Sequence, residues 1–264
     1  MNSKRAVITG LGIVSPYGLG TAPFRAGIRE GRSATRRVTL FDPGDLPCQV
    51  AAEVPEFDPA AHLPRADLPR VGRIVPLALA AAREAFAAAQ LEPERLSGQE
   101  RQHIGVIIGS GAGAIDFAES QYEAYYRDGI HRVNPFAISS SVVGMVSSEL
   151  NIRLGFTGRS HVLSNGCTSS SDAVGYALHA IQRGDHPLIL TGGAEACITR
   201  GMMEGLMGLP IRGTCATPRP DFLLTEAAFP QHRRKKHTHN PDSGEPLWCV
   251  AHLTLWRKSY DRPK

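Results

Sequence analysis

Short apolar runs recur along the chain without alternating polar positions, and they predict buried strands. The pattern predicts strands over residues 5–9, 104–108, 161–164 and 187–191, with a turn at residues 10–12 after the first strand. A short run of this kind, bounded by turn residues, is typical of a strand that is covered on both faces of a sheet. We therefore expect these strands to form a buried and largely parallel sheet.

Helical periodicity fills the segments between these strands. Apolar and small residues spaced three and four apart predict helices over residues 21–31, 76–90, 115–127, 135–154 and 168–183, where residues 135–154 form one helix or two. The helix at 76–90 begins with proline and continues in an alanine-rich run, and both features favour a helix. Strands that alternate with helices predict an α/β layered fold.

Composition narrows the class of protein. The chain has 264 residues, of which 42% are hydrophobic and 20% charged, and this balance is neither that of a disordered chain nor that of a fibrous one. Its apolar runs are shorter than the roughly 18 residues that cross a bilayer, and the N-terminus does not resemble a signal peptide. We expect a soluble cytoplasmic protein. Five cysteines without metal-ligand spacing make a disulfide framework unexpected.

The charge distribution divides the chain into two parts. Residues 1–212 hold 20 basic and 20 acidic side chains, whereas residues 213–264 hold nine and five, so the net charge of +4 lies in the tail. The tail also contains four of the five lysines but only two of the 27 glycines. We predict a folded body over 1–212 and a divergent, poorly ordered basic tail over 213–264. The basic run at 232–237 is interpreted as a solvated stretch, and no nucleic-acid or membrane partner is expected.

The segment around Cys167 carries the strongest chemical signal. A predicted strand leads to Cys167, and a predicted helix begins immediately after it. A thiol at a helix N-terminus faces unpaired backbone N–H groups and the positive end of the helix dipole, and both favour the nucleophilic thiolate. The N–H of Cys167 itself is a candidate oxyanion donor. From the pattern alone, a nucleophile and a small buried core residue remain open alternatives.

Other polar residues receive weaker interpretations. Cys197 is expected to pack in the core, whereas His161 or His179 is either a base for Cys167 or a structural residue. Cys249 and His252 are three residues apart, but two ligands do not make a zinc site.

A glycine-rich turn offers a rival function. The sequence Gly-Ser-Gly-Ala-Gly-Ala at 109–114 follows a predicted strand and fits the G-x-G-x-x-A form of the dinucleotide fingerprint. The fingerprint also needs an acidic residue at a strand end about 20 residues further on, where this chain has Asp128 outside any predicted strand. A nucleotide-binding oxidoreductase is therefore a disfavoured alternative.

Several segments in register resemble the β-ketoacyl-acyl-carrier-protein synthases. The order and spacing of the matching segments extend from about residue 4 to about residue 208. The segments that resemble the family are 6–16, 31–33, 41–42, 104–110, 165–169, 184–185 and 192–196.

This resemblance implies a fold, a reaction and partners. The fold is thiolase-like, an αβαβα layered α/β architecture of which this chain carries the N-terminal half. The reaction is a decarboxylative Claisen condensation of acyl and malonyl thioesters, in fatty-acid or polyketide synthesis, and Cys167 is the residue that the acyl chain occupies. Residues 134–143 match a segment that lines the acyl pocket near the dimer contact. The implied partners are acyl carrier protein and a second subunit, in a homodimer or a ketosynthase heterodimer, and no metal or organic cofactor is implied.

The chain also departs from the family pattern. Members of the family continue through a second half with two catalytic histidines, a lysine and a glycine-rich loop that supplies the other oxyanion donor. The histidines stand in His-Gly-Thr-Gly-Thr and Asn-Ser-Phe-Gly-Phe-Gly-Gly-His segments, and this sequence contains neither segment. The run at 237–239 has two histidines but lacks the glycines. We expect a synthase that is truncated or frameshifted after about residue 212. The alternative within the family is a non-catalytic partner subunit akin to a chain-length factor, which generally lacks the cysteine.

Overall fold

The computed structural model describes residues 5–127, 133–207 and 251–258. The strands are β1 (Ala6–Ser15), β2 (Gly18–Leu19), β3 (Arg36–Arg37), β4 (Val50–Ala51), β5 (Ile104–Gly109), β6 (Ser160–Leu163), β7 (Leu188–Gly193) and β8 (Ala251–Lys258). The α-helices are α1 (Thr21–Arg29), α2 (Ile74–Ala88), α3 (Gly98–Gln102), α4 (Ile115–Tyr126), α5 (Ala137–Ser141), α6 (Met145–Leu154), α7 (Ser169–Arg183) and α8 (Arg200–Met207). The predicted strands and helices are thus present, and residues 135–154 form two helices.

Six strands form one mixed sheet in the order β2-β1-β8-β7-β5-β6. Strands β5, β6 and β7 are parallel, whereas β8 is antiparallel to both of its neighbours, β1 and β7. Strand β1 runs in the same direction as β5, β6 and β7, because β8 is antiparallel to both β1 and β7. The prediction of a largely parallel sheet therefore holds for these four strands. A small separate hairpin pairs β3 with β4.

The two faces of the sheet are covered by different helices. Helices α2 and α6 cover one face, and helix α7 covers the other. Neighbouring strand residues therefore enter different cores: Leu188 and Leu190 face α2 and α6, whereas Ile189 faces α7. Burial on both faces explains why these strands appear in the sequence as continuous apolar runs.

The first strand is twice as long as expected. Residues 10–12, predicted to form a turn, lie inside β1. A Cβ atom added to Gly10 would lie 1.9 Å from the Ala85 carbonyl oxygen, and one added to Gly12 would lie 1.8 Å from that of Ala81. The two glycines therefore serve close packing of α2 on β1 rather than a change of chain direction.

The tail contributes a central strand. Residues 251–258 pair with β1 on one side and β7 on the other, and Leu253 and Leu255 are fully buried. The prediction of a poorly ordered tail therefore does not hold for residues 251–258, and the rest of 213–264 lies outside the described residues. Composition and charge suggested disorder, whereas the local run Leu-Thr-Leu-Trp at 253–256 has the β-branched and aromatic character that favours a strand.

This arrangement predicts that β8 contributes strongly to stability. Replacing Leu253 with alanine should lower the free energy of unfolding by about 2–5 kcal/mol, because it leaves a cavity between the sheet and α2. Ile152→Ala on α6 is the matched control, because the Ile152 side chain is 66% exposed and its loss should change stability by at most about 0.5 kcal/mol. Urea unfolding followed by circular dichroism measures both values. Equal stability of Leu253→Ala and the unmodified chain would contradict the placement of β8.

Candidate functional site

The site is built around the turn that connects β6 to α7. Strand β6 ends at Leu163, a 3₁₀ turn spans Gly166–Thr168, and α7 begins at Ser169. This is the strand, turn and helix that the sequence predicts around Cys167. The Cys167 side chain is exposed and its thiol is free, and this exposure does not fit the alternative of a small buried core residue.

Hydrogen bonds hold the Cys167 turn in one conformation. The Asn165 backbone N–H donates to Ser169 Oγ at 2.8 Å, and that hydroxyl donates to the Gly166 carbonyl at 2.6 Å. On the solvent side, Asp172 Oδ2 accepts from Asn165 Nδ2 at 2.7 Å and from Thr168 Oγ1 at 3.2 Å. An acidic side chain in the first turn of a helix also complements the helix dipole. Together these contacts fix the backbone on both sides of Cys167.

Sequence reasoning missed Asn165 and Asp172 as supporting residues. A signal was present, because Ser169 is followed three residues later by Asp172, the spacing at which an acidic side chain lies in the first turn. The link from Asn165 across the turn to Asp172 becomes visible only in the folded chain.

Glycines at two strand ends let α7 approach the sheet at this point. A Cβ atom on Gly109, the last residue of β5, would lie 2.2 Å from the Ser169 backbone carbonyl carbon. A Cβ atom on Gly193, the last residue of β7, would lie 2.6 Å from Ser170 Cβ. The first turn of α7 therefore rests directly on the ends of β5 and β7. Gly166 has a φ of +68°, a left-handed conformation that favours glycine next to Cys167.

The glycine-rich loop after β5 binds an internal carboxylate. Glu195 Oε2 accepts from the Gly111 N–H at 2.7 Å and from the Ala112 N–H at 3.2 Å. Burial raises the pKa of Glu195 above its usual value, and the hydrogen bonds from these two N–H groups act against that shift. In a dinucleotide site such N–H groups would face a pyrophosphate. Here Glu195 occupies them, which argues against the nucleotide-binding alternative.

The remaining candidates do not gather at Cys167. His161 lines a groove of about 280 Å³ together with Ala180 and Arg183. Ala180 and Arg183 belong to the last turns of α7. His179 lies ten residues into α7, about 15 Å along the helix axis from its first residue. Neither histidine is therefore placed near the turn at the start of the helix to act as its base.

The other cysteines have different environments. Cys197 is buried, as expected of a core residue, and Cys48 is disulfide-bonded, which the sequence did not predict. Asp128 and Cys249 lie outside the described residues, as does the side chain of His252. Within residues 5–127, 133–207 and 251–258, no group of three or more His, Cys, Asp and Glu side chains is arranged to hold a metal ion. In the same ranges no helix is long and apolar enough to cross a membrane.

Comparison with known proteins identifies a family for most of the chain. Residues 3–210 match the family described as beta-ketoacyl synthase, N-terminal domain. The 3-oxoacyl-[acyl-carrier-protein] synthase 2 of Coxiella burnetii is 32% identical over 199 residues, which cover 75% of this chain and 47% of that protein. The tetracenomycin polyketide synthase ketoacyl synthase beta subunit of Streptomyces glaucescens is 35% identical over 192 residues, which cover 73% of this chain and 46% of that protein.

One similarity reaches into the tail. A putative polyketide beta-ketoacyl synthase 1 of Streptomyces halstedii is 36% identical over 246 residues, which cover 90% of this chain and 54% of that protein. A match of that length extends beyond residues 3–210. This chain spans about half the length of the curated relatives that it matches.

Solved structures share the fold. The ishigamide ketosynthase/chain length factor superposes with a TM-score of 0.72 at 23% identity, covering 98% of this chain and 64% of that one. A beta-ketoacyl synthase from Burkholderia phymatum superposes with a TM-score of 0.70 at 24% identity, covering 97% of this chain and 59% of that one. The six-stranded sheet and its helices thus match the N-terminal half of ketosynthase structures, as the thiolase-like prediction requires.

The glycine contacts at the turn predict opposite effects for two alanine substitutions. Gly109→Ala should destabilise the fold by about 1–3 kcal/mol, because its Cβ would overlap the Ser169 backbone, which cannot rotate away. Gly175→Ala, within α7, should stabilise it by about 0.5–1 kcal/mol, because no atom lies within 4 Å of the added Cβ and alanine favours the helix. Urea unfolding of both variants tests the pair. A neutral Gly109→Ala would show that α7 does not rest on β5.

Proposed function

The chain belongs to the β-ketoacyl synthase family, and we propose that it is an acyl-accepting ketosynthase subunit with Cys167 as the nucleophile. The observation that carries this proposal is the exposed, free thiol in the 3₁₀ turn that precedes α7, a turn held by Asn165 and Asp172. A polypeptide that kept this cysteine only as a packing residue would bury it.

The proposed reaction is transfer of an acyl group from a carrier-protein thioester. The Cys167 sulfur attacks the thioester carbonyl and forms a new carbon–sulfur bond, after which the bond to the carrier thiol breaks. The proton of the Cys167 thiol passes, through solvent, to the departing carrier thiolate. The backbone N–H of Cys167 is the proposed donor to the oxyanion that forms between these steps. Cys167 and this proposed donor lie within the described residues, whereas the family resemblance assigns a second oxyanion donor to a glycine-rich loop that this sequence does not contain.

Condensation requires groups that this sequence does not contain. Loss of carbon dioxide from a malonyl thioester develops negative charge, and the family resemblance assigns its stabilisation to the two histidine segments that are absent here. Removing groups of this kind costs on the order of 10²–10⁴ in rate for each. We therefore assign capture of the acyl group, and not carbon–carbon bond formation, to this chain by itself.

A second candidate function is that of a non-catalytic partner subunit. It is supported by the 35% identity to a polyketide ketoacyl synthase beta subunit and by the likeness to a ketosynthase/chain length factor. Such a subunit has no use for a nucleophile, so the free thiol of Cys167 favours the catalytic proposal.

We also propose that a second ketosynthase subunit pairs along β6. The Val106 N–H donates to the Arg159 carbonyl, and the Ser110 N–H donates to the Leu163 carbonyl. Arg159 and Leu163 therefore direct their carbonyl groups towards β5. In a parallel pair the intervening residues, Ser160 and Val162, then direct theirs outwards. In the part of the chain that the structure describes, no strand pairs with that side of β6. An open edge of this kind is a template for strand addition.

The described residues also include two exposed apolar regions. Tyr176 lines the groove between β6 and α7 and is 60% exposed. Phe136, Ile138 and Val142, on and beside α5, are also exposed. They belong to residues 134–143, for which the resemblance implies a role at the acyl pocket and dimer contact, and exposure of apolar side chains is consistent with that role.

The catalytic proposal predicts acylation without condensation. Incubation with an acyl thioester of carrier protein should add one acyl group to Cys167, whereas Cys167→Ala should add none and Cys197→Ala should behave like the unmodified chain. Intact-protein and peptide mass spectrometry measure the adduct, and addition of malonyl-carrier protein should give no β-ketoacyl product. Absence of the adduct in a folded sample would favour the partner-subunit function. Cysteine-dependent condensation by the purified chain would contradict the division of steps.

The dimer proposal predicts that a charge beside β6 prevents self-association. The unmodified chain should sediment as a dimer over a concentration series, and Tyr176→Glu should sediment mainly as a monomer because burying a charged carboxylate in place of the tyrosine ring costs desolvation free energy. Ile28→Glu is the control, since Ile28 is similarly exposed but lies on α1, which packs at the opposite edge of the sheet. A single-chain mass for the unmodified protein at all concentrations would contradict a homodimer.

A further inference from the structure

Glu195 sits where the ends of three neighbouring strands meet. It follows β7 by two residues, and its carboxylate accepts hydrogen bonds from the loop that follows β5. The second oxygen, Oε1, also lies 3.3 Å from the Ala112 N and 3.4 Å from Ser110 Oγ. The carboxylate therefore binds three consecutive residues of one loop. Among the described residues, no salt bridge is formed by Glu195, so the backbone supplies its main stabilisation.

The same loop contacts the turn that holds Cys167. Ser164 Oγ donates to the Gly111 carbonyl at 3.4 Å, and a Cβ atom on Gly111 would lie 3.7 Å from the Gly166 carbonyl oxygen and 3.2 Å from Glu195 Oε2. Gly111 thus lies between the carboxylate and the residue that precedes Cys167. A Cβ atom at Gly111 would be tight against the Glu195 carboxylate and in ordinary van der Waals contact with the Gly166 oxygen.

Backbone contacts tie the loop to both adjacent strands. The Ser110 N–H donates to the Leu163 carbonyl at the end of β6, and the Ala194 N–H donates to the Gly109 carbonyl at the end of β5. Gly113, with a φ of +60°, would place a Cβ atom 2.9 Å from the Val143 Cα, so the far end of the loop is also fixed. Within the described ranges, the adjacent strands do not accept hydrogen bonds from the N–H groups of Gly111 and Ala112. The Glu195 carboxylate accepts them instead.

We infer that Glu195 is a positioning residue for Cys167. Its carboxylate holds the loop at 110–112 against the turn at 164–166, and through that contact it maintains the orientation of the Cys167 thiol. This inference rests on the proposed role of Cys167 as the nucleophile. Glu195 itself does not touch the acyl group in this assignment.

The isosteric variant Glu195→Gln tests the inference. Glutamine keeps one acceptor oxygen for the N–H groups of Gly111 and Ala112 but removes the negative charge, so both hydrogen bonds become weaker neutral ones. Amide hydrogen exchange at Gly111 and Ala112 should then accelerate on the order of tenfold or more, because weaker hydrogen bonds favour opening of the loop. Alkylation of Cys167 by iodoacetamide, followed by peptide mass spectrometry, should slow by roughly threefold or more as the thiol loses its fixed orientation.

A simple charge effect predicts the opposite change in alkylation. Removing a nearby negative charge would favour an anionic sulfur and would accelerate the reaction with iodoacetamide. Slower alkylation therefore supports positioning, whereas faster or unchanged alkylation overturns it. Alkylation needs no carrier protein, so this result does not depend on acyl transfer to Cys167. Failure of the proposed function would be seen separately, as absence of the acyl adduct.

A matched control separates positioning from general destabilisation. Glu84 on α2 also binds two backbone groups, the Ile13 N–H at 2.7 Å and the Thr21 N–H at 2.8 Å, but it does so beside β1 and α1. Glu84→Gln should lose stability without slowing Cys167 alkylation under conditions where both variants remain folded. An equal slowing in Glu84→Gln and Glu195→Gln would overturn the inference, because it would show that any loosened fold has the same effect.

Discussion

The close approach of two helices to the sheet is the constraint on which the rest of this structure depends. Helix α2 lies so near β1 that Gly10 and Gly12 have no space for a side chain, and α7 lies so near the ends of β5 and β7 that the same holds for Gly109 and Gly193. The contacts with α2 build the larger core. The contacts with α7 determine where the chain turns from β6 into a helix. The position of Cys167 is therefore a consequence of packing between helix and sheet.

Local patterns predicted much of this architecture because its strands and helices are locally encoded. Continuous apolar runs indicated strands buried on both faces, and Cys167 was correctly placed between a strand and a helix. The glycines of β1 were misread, since glycine serves a turn and a close contact equally well, and only the position of α2 distinguishes the two uses. Strand β8 was missed because the charge and composition of the whole tail outweighed a short run of strand-forming residues.

The supporting groups of the site were harder to predict because their partners are distant in sequence. Gly111 and Glu195 are separated by 84 residues, and neither residue type indicates the other. The glycine-rich loop has the N–H groups that bind a phosphate in other folds, and its sequence suggested such a ligand. In this fold a carboxylate of the same chain accepts those hydrogen bonds. A glycine-rich turn thus specifies a backbone shape that binds an anion, and the tertiary fold decides whether that anion is a ligand or a side chain.

The contacts around Cys167 bear on the proposal that acyl capture is separate from condensation. Among the described residues, the contacts that fix the turn come from residues between Gly109 and Glu195, on the ends of β5, β6 and β7 and the start of α7. The thiol and the backbone N–H proposed for acyl capture are therefore held by one continuous part of the chain. Decarboxylation needs additional groups placed against a second thioester, and no arrangement of the turn itself supplies them. For the proposed reaction, the division between the two steps thus corresponds to a division between a thiol held by local contacts and groups that the turn does not provide.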